Sequence, residues 1–311
     1  MQFYKQRFFG ELISDTFDFV KKYGENYFKN YFIVNGAVLI LLLVVVVLGY
    51  GELFQQMFSS NMDGQQFYFE QYFSENQGVF IGVTLLALVL AIMLSLISYT
   101  FPVLYMKRLA EEPSTIITSS QMIEDMKEEW GKIVIFGLGV AFIIMPIGIV
   151  LFFLSGLLML IIIGFFLLLI LVPIIMNIMN FTMFNYFNTK EGFLNSVKFA
   201  VYTQFSNNFF KYLGSTVIIY FVIQIISTIF TMIPMLFYVG AIFVDSGNEP
   251  LDESDMMMTI TFIVYTVSIL ASFIASNLLY INAGFMYYDA KKELHKDVQL
   301  SEIDLIGKGE A

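Results

Sequence analysis

The feature that most constrains the fold is residues 133–189, a stretch of 57 residues with no Asp, Glu, Lys or Arg. A helix rises ~1.5 Å per residue, so this stretch is too long for one crossing of a hydrocarbon layer ~30 Å thick. It therefore has to cross a membrane, turn and return. We expect the turn at Ser155 and Gly156, between the apolar segments 133–154 and 157–186.

The composition agrees with lipid as the main surrounding of the chain. Hydrophobic residues make up 58% and charged residues 14% of the sequence, against roughly 25% charged residues in soluble domains. Within lipid, only helices or closed barrels satisfy all backbone hydrogen bonds. Barrel strands alternate apolar and polar residues, whereas residues 39–48 and 157–171 are apolar almost throughout. The sequence therefore predicts helices.

The apolar segments predict an all-α bundle of six transmembrane helices. The six predicted spans are residues 32–49, 78–101, 133–154, 157–186, 212–243 and 257–286. They divide the chain into an amphipathic, interfacial N-terminal segment (1–31), a six-helix membrane domain (32–289) and a polar cytoplasmic tail (290–311). Pro102 is expected to stop the second span, and Pro173 to bend or break the fourth.

Four further helices are expected outside the spans, three of them on the cytoplasmic side. In residues 8–31, charged residues recur every three or four positions and aromatic residues follow the same period on the other side, which predicts an amphipathic helix. Its aromatic face either lies in the interface or packs under the bundle, and both interpretations stay open. Residues 190–211 show a similar pattern, with one apolar side formed by Phe193, Val197, Val201 and Phe205.

The third such helix lies before the central stretch, where Ser119 or Ser120 is expected to cap a helix that runs through Trp130. In the loop before the second span, the aromatic residues Phe69, Tyr72 and Phe73 have helical spacing. They predict a short helix there as well.

The distribution of charge predicts the orientation. All 16 Lys and Arg residues lie in the N-terminal segment, in the loops 103–132 and 188–211, or in the tail, whereas the other loops hold nine acidic residues and no base. This is the positive-inside pattern. We therefore expect a multi-pass protein of a bacterial plasma membrane with both termini in the cytoplasm.

The helices that precede the membrane hairpins suggest an internal repeat. Residues 26–31, before span one, resemble residues 208–212, before span five. Residues 128–132, before span three, resemble them more weakly. These passages predict three helix-plus-hairpin units. The alternative is that any membrane interface selects aromatic residues and lysine, and the sequence does not decide between the two.

Several function classes are disfavoured by composition and motifs. The net charge of −10 argues against a nucleic-acid partner, and the absence of cysteine excludes thiolate metal sites. No catalytic, phosphate-binding or cofactor-binding motif is present, so we expect neither an enzyme nor a cofactor. The first 30 residues lack the apolar core of a cleavable signal peptide.

An ionisable residue within the spans would be expected of a proton-coupled transporter. The predicted spans contain none, which disfavours proton coupling. Asp289, at the inner end of the sixth span, comes nearest. We interpret it as an interfacial residue beside Lys291 and Lys292.

Two groups of polar residues are the candidate sites. Gln224, Ser227, Thr228 and Thr231 form one polar stripe on the fifth span at positions i, i+3, i+4 and i+7. The stripe either lines a polar path for a solute or lipid headgroup, or it hydrogen-bonds neighbouring helices. Asn177 and Asn180, with Asn185, gather near the inner end of the fourth span, where they could meet this stripe.

The end of the sixth span resembles that of a family of six-helix membrane proteins. This family is similar to the membrane domain of some bacterial glycerophosphodiester phosphodiesterases, and the resemblance is carried by Tyr287-Tyr288-Asp289-Ala290-Lys291-Lys292-Glu293. A segment like residues 192–212 also precedes the penultimate helix of the family. The resemblance implies a fold and a membrane location. It does not imply catalysis, because the tail is too short for the phosphodiesterase domain.

The sequence thus predicts a non-enzymatic integral membrane protein that organises or assists other membrane components. Its expected partners are membrane lipids and a second membrane protein, while its oligomeric state is left open. The alternative is a transporter or lipid-handling protein whose polar path follows the fifth span.

Overall fold

The computed structural model describes residues 1–58, 65–112, 116–159, 163–244 and 253–306. Nearly all of these residues are helical, and no strand occurs among them. In chain order the helices are α1 (Phe9–Phe58), α2 (Gln65–Glu111), α3 (Ser119–Glu128), α4 (Trp130–Gly139), a π-helical turn (Val140–Ile144), α5 (Met145–Leu158), α6 (Ile163–Asn188), α7 (Phe193–Gln204), α8 (Phe209–Val244) and α9 (Glu253–Ile306). The predicted all-α fold is confirmed.

Within the described ranges, six helical segments are long and apolar enough to cross a membrane. They are Phe9–Tyr50, Asn76–Glu111, Trp130–Leu158, Ile163–Asn188, Phe209–Ile233 and Thr266–Lys291. Each coincides with one of the predicted spans. Large apolar side chains along them are exposed, among them Leu48 and Phe142 at 80% and 73%, as expected of a surface that faces lipid rather than water.

The turn of the central hairpin lies later than the sequence suggested. Helix α5 continues through Ser155 and Gly156 to Leu158, and α6 begins at Ile163, so the turn predicted at Ser155 and Gly156 is wrong. Ser155 stays helical because its hydroxyl donates to the carbonyl of Leu151 at 2.8 Å. This bond satisfies a hydroxyl that would otherwise favour a turn.

Proline does not end the helices that contain it. Pro102 lies inside α2, which continues to Glu111, and Pro173 lies inside the unbroken helix α6. The expected stop at Pro102 is therefore wrong. The π-helical turn Val140–Ile144 ends two residues before Pro146, and both π-helical turns and proline are known sites of irregular backbone hydrogen bonding in helices.

Local backbone features mark the start of α3 and the end of the short helix before the second span. Helix α3 is capped by Thr118 and not by Ser119 or Ser120, since the Thr118 hydroxyl accepts from the Gln121 N–H while the Gln121 side chain accepts from the Thr118 N–H. This is a capping box. Helix α2 begins at Gln65, and its backbone leaves helical geometry at Asn76. The part before Asn76 is therefore a short helix of its own, and it is the one expected around Phe69, Tyr72 and Phe73.

The chain divides into two compact units. The first contains Met1–Val34, Leu96–Phe221 and Asn277–Ala311, and the second contains Asn35–Ser95 and Val222–Ser276. The first unit has an aromatic core in which the ring of Tyr27 packs edge-on against Phe101 and Tyr105. In the second unit, Tyr50 and Thr84 place their hydroxyl oxygens 2.6 Å apart and so join α1 to α2.

The amphipathic segments pack differently from the simplest expectation. Helix α1 continues through residue 31 without a break, and its first turns bury Leu12, Thr16, Phe19 and Tyr27. Of the two open interpretations, packing within the bundle is the one observed. Phe193 at the start of α7 is buried as expected, but Val201 and the residue after the helix, Phe205, are exposed. The buried face also carries Ala200 and the polar residues Ser196, Thr203 and Gln204.

Candidate functional site

Asp289, in the second half of α9, is a buried acidic residue of the first unit that contacts two other segments of the chain. Its side chain is 1% exposed. One carboxylate oxygen accepts from the backbone N–H of Arg7 at 2.6 Å. The other accepts from the Lys211 ammonium at 2.6 Å and from the Tyr212 hydroxyl at 2.7 Å. Asp289 therefore ties α8 and the N-terminal segment to α9.

The expected neighbours of Asp289 were Lys291 and Lys292, and this expectation is wrong for Lys291. The Lys291 ammonium lies 4.6 Å from the centroid of the Phe199 ring, a cation–π distance. The cation that pairs with Asp289 is instead Lys211, which lies on helix α8. Residues two apart on a helix point in different directions, which is why sequence proximity was misleading here.

Arg7 completes this buried ionic cluster. Its guanidinium donates to the carbonyls of Phe3 and Gln2, each at 2.8 Å, and to the carboxylate of Asp15 at 2.8 Å. Burial lowers the pKa of Arg7, and the hydrogen bond that Arg7 donates to Asp15 opposes that shift. Arginine stays charged at neutral pH even so. In this cluster Asp15 is paired with Arg7 and Asp289 with Lys211, and such charge pairing between segments supports a structural role.

Polar side chains also connect the helices inside the first unit. The Asn282 amide on α9 donates to the Leu12 carbonyl at 3.1 Å and to the Thr16 hydroxyl at 3.0 Å. The Tyr27 hydroxyl donates to the Asn277 side-chain carbonyl at 2.6 Å. Such contacts between helices specify packing where apolar side chains would fit lipid and protein equally well.

The asparagine group on α6 belongs to this network. Asn177 accepts from the Thr216 hydroxyl at 2.6 Å, and Asn180 accepts from the Tyr99 hydroxyl. The Asn185 amide donates to Glu191 at 2.8 Å and to Ser196 at 3.2 Å. All three asparagines are buried. Periodicity placed them at one end of α6, but nothing in the sequence indicated Thr216 or Tyr99 as partners.

The polar stripe of α8 has a different environment. It lies in the second unit, with Gln224 and Thr228 exposed and Ser227 and Thr231 half-buried. The Thr231 hydroxyl donates to the Thr228 carbonyl at 2.8 Å. Across the described residues, no hydrogen bond involves the Gln224 side chain. None of the four side chains of the stripe is therefore fully buried by other described residues.

Apolar side chains surround the stripe on the outer surface of α8. Phe221, Ile225 and Ile229 are exposed at 62%, 59% and 53%. An uncharged amide thus projects from a segment that is otherwise suited to lipid. Among the described residues, no three acidic or histidine side chains are close enough together to hold a metal ion.

The fold and the candidate site together define a multi-pass integral membrane protein. The described residues form helices and no strands. Comparison with protein-family models, with curated proteins and with solved structures found no match to this chain. Its function is therefore argued from its own residues.

Proposed function

We propose that the chain is a non-catalytic membrane protein that organises or assists another membrane protein, and that the polar stripe of α8 is where the two meet. The observation that carries this proposal is the exposed Gln224 amide, which has no hydrogen-bond partner among the described residues. Gln224 lies near the middle of the predicted span 212–243, where water is scarce.

The energetic argument concerns an amide that faces hydrocarbon. A polar group without a hydrogen bond in an apolar medium costs several kcal/mol. A helix of another protein that presents a hydrogen-bonding side chain at the same depth would remove part of this cost, at ~0.6 kcal/mol per contact and up to ~1.7 kcal/mol. Thr228 and the half-buried Ser227 and Thr231 extend the polar face along the same side of the helix.

The setting of this interaction is also part of the proposal. The distribution of Lys and Arg supports a bacterial plasma membrane with both termini in the cytoplasm. Residues 287–293 carry the resemblance to the membrane domain of glycerophosphodiester phosphodiesterases, and within them Tyr287, Tyr288 and Asp289 are buried and Asp289 forms the ionic cluster. A central structural role for these residues supports a shared fold.

A second candidate function follows from the same exposure. An uninterrupted polar face open to the surroundings would also suit a lipid headgroup or solute that moves along α8. The exposure of Gln224 and Thr228 favours this alternative over a purely internal packing role for the stripe.

Site-specific photocrosslinking in cells distinguishes these functions. A photoreactive amino acid at Thr228 should form a discrete adduct with one other membrane protein. The same group at Ile229 should not. Ile229 is also exposed, but it lies about 140° around the helix from Gln224. Introducing Gln224→Leu beside the probe at position 228 should reduce the adduct severalfold.

Each other outcome has a clear meaning. Adducts with a phospholipid alone at position 228 would support the lipid path and contradict a protein partner. An adduct with a second copy of this chain would replace the proposed partner by a homo-oligomer. Equal adducts from positions 228 and 229 would show that the polar stripe confers no specificity, and the proposal would be abandoned.

A further inference from the structure

The first unit contains a groove between α1, α2, α3 and the start of α4. Its volume is about 380 Å³, within the ~300–1,000 Å³ range of small-molecule sites. It is lined by Val34, Ile97, Ile123, Met126, Lys127 and Trp130. These residues come from α1, α2, α3 and the start of α4. The groove is therefore built by tertiary packing of four helices.

The lining is apolar inside and amphipathic at the edge. Ile97 and Met126 are buried at 9% and 6% exposure, whereas Ile123 and Trp130 are exposed at 37% and 39%. Tryptophan is enriched at the level of lipid headgroups, where its ring bridges the apolar and the wet layers. The groove thus runs from an apolar floor to a rim that suits the headgroup layer.

Among the described residues that line the groove, Lys127 is the only charged one. Two neighbouring acids are already engaged: Asp125 pairs with Arg108, and Glu129 lies 2.9 Å from Lys132 and 3.8 Å from Lys107. Within the described ranges no ion pair involves Lys127, whose side chain is exposed. An ammonium group is well suited to bind a phosphate as a point charge.

We propose that this groove is a binding site for an anionic phospholipid, with one acyl chain against Val34, Ile97 and Met126 and the phosphate at Lys127. Charge complementarity and the apolar floor select this occupant together. A soluble anion would gain nothing from the floor, and a neutral lipid would gain little from the lysine. The cytoplasmic leaflet, on which the proposed orientation places α3, carries the anionic lipids.

Trp130 makes this proposal directly testable because it is the only tryptophan of the chain. The full-length protein is reconstituted in phosphatidylcholine vesicles that contain a small fraction of lipid brominated on the acyl chain. Bromine quenches indole fluorescence only on near contact. Brominated phosphatidylglycerol should quench Trp130 with an apparent affinity about fivefold higher than brominated phosphatidylcholine, the preference expected of one lysine near an anionic lipid.

Two substitutions separate a specific site from a general surface effect. Lys127→Gln should remove the preference for phosphatidylglycerol and leave quenching by phosphatidylcholine unchanged. Lys132→Gln removes the same charge five residues away, at a lysine that is paired with Glu129, and should keep the preference. Val34→Phe fills the floor and should reduce quenching by both lipids, with the circular dichroism spectrum checked for an intact fold.

The proposal is overturned if both brominated lipids quench the unaltered protein equally, or if Lys132→Gln lowers the preference as much as Lys127→Gln. Inorganic phosphate, compared with chloride at equal ionic strength, should not relieve the quenching. Relief by phosphate alone would identify a free anion as the ligand and contradict a lipid site.

Discussion

The Lys211 ammonium lies 2.6 Å from a carboxylate oxygen of Asp289, and the two residues come from helices α8 and α9. Removing one partner of a buried ion pair leaves the other charge uncompensated. We expect Asp289→Asn to lower the free energy of unfolding by about 3 kcal/mol, the lower end of the range for buried pairs, since the Lys211 side chain is 19% exposed. Reversible unfolding in mixed micelles measures this change.

Asp18→Asn is the matched control, because Asp18 is exposed on α1 and the same substitution should change stability by less than about 0.5 kcal/mol. The double variant Asp289→Asn with Lys211→Gln should be less destabilised than Asp289→Asn alone. Equal stability of Asp289→Asn and the unaltered protein would contradict the role assigned to the pair.

Arg7→Lys tests how the N-terminal segment is held. Lysine keeps the charge but cannot reproduce the planar arrangement with which Arg7 donates to Gln2, Phe3 and Asp15 at once. We expect faster amide hydrogen exchange in residues 2–7 with little change in the helices. Lys21→Gln, on an exposed lysine, should leave exchange in these residues unaltered. Unchanged exchange in Arg7→Lys would show that the backbone bond to Asp289 suffices.

Gly164→Ala tests the close approach within the central hairpin. A β-carbon at Gly164 would lie 2.1 Å from the backbone oxygen of Ser155 and 2.3 Å from the Met159 nitrogen. Backbone atoms cannot move aside as a flexible side chain can, so we expect a loss of about 3 kcal/mol, the upper end for overpacking.

The neighbouring glycine provides the control. A β-carbon at Gly156 would meet no heavy atom within 4 Å. Gly156→Ala should therefore be neutral or stabilise the helix by up to ~1 kcal/mol. If thermal unfolding in detergent ranks the two alanine variants equally, the hairpin does not pack as described.

The hydrogen bond between Asn177 and Thr216 is testable by a double-mutant cycle. Asn177→Leu and Thr216→Val each remove one partner, and we expect a coupling free energy of ~0.6 kcal/mol, with an upper bound of ~1.7 kcal/mol, as for other contacts between membrane helices. Pairing Asn177→Leu with Ser206→Ala, a hydroxyl that bonds only within its own turn, should give additive effects. A coupling of zero for the first pair would mean that the bond contributes nothing.

The proposed orientation can be tested because the chain contains no cysteine. Single cysteines at Ser120 and Lys198, in the two basic loops, should be protected from a membrane-impermeant thiol reagent in intact cells. A cysteine at Ser74, in the first acidic loop, should be labelled. Permeabilised cells give full labelling at all three positions as a control. The reverse pattern would contradict cytoplasmic termini.

Local patterns and composition predicted the helical class, the number of spans and the short helix before the second span, because length, charge and hydropathy are properties of contiguous residues. The turn at Ser155 and Gly156 was misplaced because serine and glycine favour turns in water, whereas in lipid a serine can bond its own helix. The hydrogen-bond partners of Asn177 and Asp289 could not be predicted from the sequence, since they lie on other helices or segments.

The buried face of α7 was predicted only in part, for a related reason. Its buried side carries Ser196, Thr203 and Gln204, while Val201 and Phe205 point outward. The rule that apolar residues face the core assumes water on the outside. At the edge of a bilayer the outside is itself apolar, so hydrophobicity alone cannot distinguish the two faces.

The backbone contact between Ser155 and Gly164 also has a consequence for the biogenesis of the protein. Helices α5 and α6 are joined by four residues, 159–162, and carry no charged side chain that could hold either end on one side of the membrane. Neither helix alone contains a charge that could determine its orientation in the membrane. The pair is suited to leave the insertion machinery together as a preformed hairpin, after the flanking basic loops have fixed which side it returns to.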